Sequence, residues 1–243
     1  NLVINLLCYY CEGSYSIICV IENIGMMCFK DNRGIRPLSY GIKKDTLLIA
    51  SESIALSSQN YSKIQELGSN EILLCEFYSR TFKIIEKASI KCNKIVNTYP
   101  FLLNASYDVS PCIFEWIYLA RAESVIYNVP VYTARLYMGK LLAEKLKETI
   151  KNIKEYDYVI PIPDTSRPYA LNMAYTLGIP YIEAIIKNRY THRTFINPDK
   201  NTIVKSIKKI KIIKKLVENK NLLVVDDSIV RGNTSKYILG ELK

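Results

Sequence analysis

Asp226 and Asp227 stand directly after the apolar run Leu222-Leu-Val-Val225 and directly before a small, polar stretch, Ser228-Ile-Val-Arg-Gly-Asn-Thr-Ser235. These residue types at this spacing suit a phosphorylated sugar. A Gly-containing turn at Gly232 exposes backbone N–H groups, and the Ser228, Thr234 and Ser235 hydroxyls and Asn233 amide add donors, with Arg231 supplying charge. Two carboxylates would repel the same phosphate, so they make sense one bond further along, on ribose hydroxyls or on a metal-bound sugar. The plainer alternative is a strand that ends in a solvated Asp-Asp turn.

The elements that must position these groups follow from the pattern on either side. Four apolar residues in a row describe a strand buried on both faces, and ligands of open α/β sheets sit where such strands end and helices begin. A second strand is expected over Tyr156-Asp-Tyr-Val-Ile-Pro-Ile-Pro163, leaving through the loop Asp164-Thr-Ser166. Ser166 and Pro168 then open a helix with Ala170, Leu171, Ala174 and Leu177 as apolar positions, stopped by Gly178 and Pro180. Ile182 to Ile186 reads as a further strand. Ala134, Met138, Leu141, Leu142 and Leu146 recur at helical steps and mark an amphipathic helix. Strand, loop and helix in repetition describe a mostly parallel sheet.

The first hundred residues differ. Glu12 to Ile21, Gly25 to Lys30, Asp45 to Ser51, Glu71 to Phe77 and Thr81 to Ile85 read as strands, the last two as a hairpin. Asp31-Asn-Arg-Gly34 is a turn, and Ser51-Glu-Ser53 can cap a short helix over Ile54-Ala-Leu56. Residues 88 to 110 lack a period and read as a linker. The expected organisation is therefore residues 1–104, antiparallel in style, and residues 105–243, an α/β domain.

The 243 residues suffice for one large or two medium domains. The net charge of +10 comes mostly from Lys, in a chain rich in Ile, Lys, Asn and Tyr; AT-rich codon usage explains it better than nucleic-acid binding, and a phosphorylated substrate is a third use for the field. No apolar run approaches the roughly 20 residues of a membrane span, and Asn1 to Cys8 lacks a basic n-region, so neither a membrane nor a secretory route is expected. Seven Cys, an odd count, point to reduced thiols in a cytoplasmic compartment. Cys8 and Cys11 have metal-ligand spacing, but no second pair or suitable His accompanies them.

Several stretches in order carry a resemblance. The Leu222–Ser235 stretch resembles the phosphoribosyl pyrophosphate (PRPP) loop of the type I phosphoribosyltransferases. Asp31-Asn-Arg-Gly-Ile-Arg-Pro-Leu, Ala50-Ser-Glu-Ser-Ile-Ala-Leu, Pro111-Cys-Ile-Phe-Glu, Tyr118-Leu-Ala-Arg-Ala-Glu-Ser, Val159-Ile-Pro-Ile-Pro-Asp-Thr and Lys187-Asn-Arg-Tyr-Thr-His-Arg-Thr-Phe-Ile join it. Together, from about Glu12 onward, they resemble the amidophosphoribosyltransferases, which begin purine synthesis. The resemblance implies an α+β N-terminal-nucleophile glutaminase domain, its C-terminal part in residues 1–104, followed by an α/β phosphoribosyltransferase domain in 105–243. Ammonia from glutamine would displace pyrophosphate from PRPP. Asp226, Asp227 and Thr165 would stand near ribose and Mg²⁺, Ser228 through Ser235 would cradle the 5-phosphate, and Asp164, Thr165 and Ser166 would form the pyrophosphate loop. Lys187, Arg189, Tyr190 and Arg193 would belong to a loop closing over PRPP, where cations neutralise the leaving group.

Two departures matter. Thr191 and His192 stand where the family usually has Val-Gly, and the lone His192 reads as a bystander. The nucleophilic N-terminal Cys has no match here; Cys8 and Cys11 do not occupy its position, and an inert, buried Cys8 is expected. The chain is therefore expected to be an internal fragment without glutaminase activity of its own. Cys112 matches a position that ligates a [4Fe–4S] cluster in some members and is a plain Cys in others, and a buried, unliganded thiol is the expectation. Purine nucleotides as feedback inhibitors and a homo-oligomer of the complete protein are also implied. Two other readings stay open: a PRPP- or nucleotide-sensing regulator without turnover, and a phosphoribosyltransferase acting on a base.

Overall fold

Alternation of polar and apolar residues sets up the first part of the chain. The structure is a computed structural model that describes residues 10–23, 25–69, 71–78, 81–89, 109–187 and 210–242. It divides into two compact units, residues 1–115 with 123–131, and residues 116–122 with 132–243. The expected boundary at 104/105 and the linker beyond Ser89 lie outside the described residues.

Unit 1 holds two antiparallel sheets. Strands β1 (Ser16–Ile21), β2 (Gly25–Lys30), β6 (Glu71–Tyr78) and β7 (Thr81–Ser89) form one, in the order β1-β2-β6-β7. Strands β3 (Ser39–Lys43), β4 (Thr46–Ala50) and β5 (Lys63–Glu66) form the other, in the order β4-β3-β5. Period-2 patterning turns Cys28, Leu73 and Cys75 of the first sheet toward Tyr40 of the second and toward Leu38 and Leu67 beside its strands, in one shared core. Burial pushes the Cys28 thiol up to about 12, with smaller contributions from Cys75 and Cys19, so it is an inert core residue. The opposite face of the larger sheet packs Phe29 and Ile72 with Tyr15, Ile17 and Met27.

A short helix, α1 (Ser53–Ser57), follows β4 as expected, but its cap differs. Glu52 is the N-cap residue and makes no side-chain cap bond. The Ser124 hydroxyl donates to the Glu52 carboxylate at 2.7 Å, and Ser53 Oγ accepts the Val125 N–H at 2.8 Å. Both side chains thus hold a hairpin, β8 (Val125–Ile126) with β9 (Val129–Pro130), that belongs to the same unit. The tip residue of that hairpin, Tyr127, completes a buried polar cluster. Lys30, fully buried, lies 3.3 Å from Glu66 Oε1 and donates to the Tyr127 hydroxyl at 3.1 Å. The Tyr127 hydroxyl in turn donates to Gly34 O at 2.8 Å, and its N–H to Glu66 Oε2 at 2.6 Å. Asp31, also buried, accepts the N–H groups of Arg33 and Ile35. Gly34 sits at φ +61, and a Cβ there would meet the Tyr127 hydroxyl oxygen at 2.2 Å, so the turn at 31–34 requires glycine.

Unit 2 is the α/β part. Strand β10 (Tyr158–Pro161) pairs in parallel with β13 (Leu222–Val225), Tyr158 opposite Leu222 and Pro161 opposite Val225. On the other side of β10, Val159 bonds Pro180 and Ile182 and makes a parallel bridge with Tyr181. The expected strand at 182–186 is therefore split: Pro180–Ile182 lines β10, and β11 (Ile185–Lys187) pairs antiparallel with β12 (Ile210–Ile212). Helices α2 (Val131–Thr149) and α3 (Arg167–Leu177) cover one face of the sheet through Ala143, Tyr169, Ala170, Met173, Ala174, Val159 and Val225. Ile160, Ile162, Ala184, Ile185, Val217 and Ile238 form the core on the other face, with α4 (Lys214–Val217) and α5 (Asn233–Leu242). Gly139 lets α2 and α3 touch: a Cβ there would lie 2.3 Å from the Tyr169 carbonyl oxygen. Buried Arg135 on α2 donates to the carbonyls of Trp116 and Ala120, and Tyr169 to that of Ile117, which fixes the segment 116–120 within this unit.

Candidate functional site at the carboxyl end of the parallel pair

Parallel pairing in this register has a direct consequence. Pro161 and Val225 end their strands side by side, and the Ile162 N–H still bonds Val225 O at 2.8 Å. The loops that follow, 162–166 and 226–232, therefore leave the same edge of the sheet. Each runs into a helix, α3 from Arg167 and α5 from Asn233. Thr234 and Ser235 stand in the first turn of α5 rather than in a loop, with their N–H groups among those a helix start leaves unpaired. Gly232, at φ +69, makes the turn into that helix.

Asp226 and Asp227 are half-buried at the mouth of β13. Burial pushes the Asp226 carboxyl up to about 6; the Asp227 N–H, bonded to Asp226 Oδ1 at 2.9 Å, opposes this, and the Asp227 charge adds to the rise. Ser228 donates to Asp227 Oδ1 at 2.6 Å. Among the described residues neither carboxylate has a cation partner. A carboxyl pair desolvated without a counter-charge is the donor set that a divalent cation relieves. Among the described residues no group of three or more His, Cys, Asp and Glu could hold a metal by itself. Two carboxylates with open positions left for substrate oxygens and water suit Mg²⁺, which seldom takes an all-protein cage.

Thr165 is partly exposed in the facing loop, and Asp164 is exposed. Ser166 is fully buried, and its hydroxyl donates to Ile162 O instead of capping α3, so it braces the loop and leaves only its backbone for a ligand. The peptide between Pro163 and Asp164 is cis. Burial raises the Tyr169 phenol, the Arg135 charge opposes this, and the Asp227 charge adds to it, which puts Asp227 within electrostatic reach of the start of α3. Lys187, at the end of β11, reaches the same loop, its Nζ 3.5 Å from Asp164 Oδ2. Arg231 is exposed. Arg189, Tyr190, Arg193 and His192 lie outside the described residues, as does Cys8. Cys112, expected to be buried, is a partly exposed free thiol: its N–H bonds Ile35 O, and the neighbouring Ile113 and Phe114 are exposed.

Over 234 residues, 94% of its length, the chain is 37% identical to the amidophosphoribosyltransferase of Haemophilus influenzae. Over 241 residues, 96% of its length, it is 35% identical to that of Saccharomyces cerevisiae. The chain is a homologue of the amidophosphoribosyltransferases. It spans less than half of the relatives it matches, 43% of the H. influenzae protein and 44% of the yeast one. A solved glutamine PRPP amidotransferase from B. subtilis, complexed with ADP and GMP, superposes with a TM-score of 0.75 at 31% identity. The match covers 98% of this chain and 47% of that one. No family model matches the chain. Among the described residues no helix is long and apolar enough to cross a membrane.

Arg167 and Glu183 escaped the sequence reading. Arg167 lies 3.4 Å from Asp164 and 3.2 Å from Glu183, so it belongs to the ionic surroundings of the 162–166 loop. Its place directly after Asp164-Thr-Ser166 was the available signal. Glu183 had none, since only the strand-like segment at 180–182 carries it to the loop.

Proposed function

We propose that the whole protein is an amidophosphoribosyltransferase catalysing the first step of de novo purine synthesis. Ammonia from glutamine attacks C1 of PRPP, the C1–O bond to pyrophosphate breaks with its electron pair leaving on pyrophosphate, and 5-phosphoribosylamine forms. The observation that carries this reading is the shared sheet edge of the 162–166 and 226–232 loops, in a chain homologous to this family along nearly all its length.

On this reading Asp226 and Asp227 hold the ribose hydroxyls and, with Thr165, the Mg²⁺ that screens the diphosphate charge. The backbone and hydroxyls of Ser228, Arg231, Gly232, Asn233, Thr234 and Ser235 cradle the 5-phosphate at the start of α5. Asp164, Thr165 and Ser166 face the pyrophosphate, and Lys187, with Arg189, Tyr190 and Arg193, neutralises it as it leaves. Residues 1–104 are the C-terminal part of an N-terminal-nucleophile glutaminase domain and 105–243 part of the phosphoribosyltransferase domain. The partners are PRPP, glutamine or ammonia, and purine nucleotides as feedback inhibitors, in a cytoplasmic homo-oligomer.

The test uses the full-length protein. Pyrophosphate release is expected to require PRPP and Mg²⁺ together with either glutamine or ammonium. Tight binding of PRPP without pyrophosphate release from either donor would replace this reading with that of a regulator.

A further inference from the structure

The Asp164 carboxylate stands between two cations. Its Oδ1 lies 3.4 Å from Arg167 Nη1 and its Oδ2 3.5 Å from Lys187 Nζ. Arg167 is steadied from the other side, Nη2 lying 3.2 Å from Glu183 Oε2, while Glu183 Oε1 accepts the Tyr181 hydroxyl at 2.9 Å. Tyr181 sits beside β10, so the contacts run unbroken from the sheet to the loop. The Arg167 Nε is buried and has no hydrogen-bond partner. Arg167 is thus held through its two terminal nitrogens, both by carboxylates.

We propose that Asp164 is an internal stand-in for the diphosphate of the substrate, holding Lys187 and Arg167 until an incoming polyanion displaces it. This rests on the assignment of the loop to pyrophosphate and adds two things to it: a fourth cation, Arg167, and a competing role for Asp164.

Three physical points support it. The side chains of Asp164 and Lys187 are each 50% exposed, and pairs so open to water are weak enough to exchange. A diphosphate offers more charge and more acceptors than one carboxylate, and charge-assisted bonds to Arg and Lys are the strong ones. The guanidinium fork of Arg167 matches phosphate oxygens as well as it matches Asp164 and Glu183. A resting carboxylate also spares the loop an unpaired Lys187, Arg167 keeping Glu183, and raises the threshold for small anions. Inorganic phosphate, with fewer acceptor oxygens and too short a span to meet both cations, competes poorly, whereas Mg-pyrophosphate displaces it.

The experiment is calorimetric titration of the full-length protein with Mg-pyrophosphate and with inorganic phosphate, at low and high salt. Asp164→Asn is expected to tighten Mg-pyrophosphate binding by about two- to fivefold, to raise phosphate affinity by more, and to lose both gains at high salt. Arg167→Gln is expected to weaken pyrophosphate binding, and in an Arg167→Gln, Lys187→Gln background Asp164→Asn should change nothing. Unchanged or weaker binding by Asp164→Asn, with wild-type binding intact, overturns the stand-in. So does a gain that persists in the double background, since it would not run through these cations. A wild-type protein that binds neither Mg-pyrophosphate nor Mg-PRPP overturns the assignment of the site, and the stand-in with it.

Discussion

Two polar clusters of this molecule put carboxylates to opposite ends. In unit 1, Lys30, Glu66, Tyr127 and Asp31 are buried or nearly so, and every charge meets a partner in the protein. In unit 2, Asp226 and Asp227 are half-buried beside each other without a cation among the described residues. Burial depresses the Lys30 amine, and the Glu66 charge works against that. For Asp226, burial raises the carboxyl and the neighbouring charge raises it further. A polar group closed on itself is structure, because its desolvation is offset at home. One that folding leaves uncompensated is waiting for something from solution.

The sharpest way to break this contrast is Lys30→Met. Removing one partner strands Glu66 and the Tyr127 hydroxyl, and the loss should be about 3 kcal/mol or more of unit 1 stability, read by chemical denaturation. The affinity of the remaining folded protein for Mg-PRPP should not move. A stability change below about 1 kcal/mol would mean that the cluster is not closed in the sense argued.

Asp227→Asn should act the other way round. Mg-PRPP affinity is expected to fall by roughly 1.5–3 kcal/mol, the worth of a charge-assisted contact, with the fold intact by circular dichroism. Unchanged affinity in calorimetric titration would remove Asp227 from the site.

Asp226 separates the two cases by pH. Its folded-state pKa, about 6, lies above the ordinary carboxylate value of 3.8, so the folded state binds the extra proton between these limits. Its contribution to stability is full below about pH 4 and is lost as pH rises through 6, where the ionised form becomes a standing cost. Asp226→Asn should therefore stabilise the protein above pH 6, by about 1 kcal/mol, and abolish an inflection near pH 6 in Mg-PRPP affinity, which otherwise rises with pH. Destabilisation at pH 8 would place Asp226 with the closed cluster instead. The smallest effect belongs to Lys140→Ala, which breaks only the exposed pair with Glu144 at 3.7 Å. It should cost no more than about 0.5 kcal/mol, and a larger loss would show that exposure is a poor guide to which charges matter here.

Much of this was legible in residue order alone. Leu222 to Val225 forms a strand because four apolar residues need cover on both faces, and Asp226-Asp227 must then mark its end. The helix from Arg167 to Leu177 opens and stops where Pro168 and Gly178 said it would. Those features depend on neighbours in the chain, and local sterics and periodicity suffice for them. The chain alone determined strands such as Gly25–Lys30 and Leu222–Val225, the helix Arg167–Leu177, and the small, polar make-up of the two loops beside them.

What only the tertiary structure decided involves residues far apart in sequence. That the two loops share an edge follows from the register Pro161 opposite Val225, set by hydrogen bonds across more than sixty residues. Ser51-Glu-Ser53 was expected to cap a helix, and Ser53 instead accepts the Val125 N–H, which the hairpin brings to it from more than seventy residues away. Ser166 turned inward because its buried hydroxyl needed an acceptor and Ile162 O was there. Lys30, one more Lys among many in the sequence, became a buried anchor only when Glu66 and Tyr127 closed around it. Desolvation is the physical reason: what a polar side chain does depends on which partners remain once water is excluded, and packing across the fold chooses them.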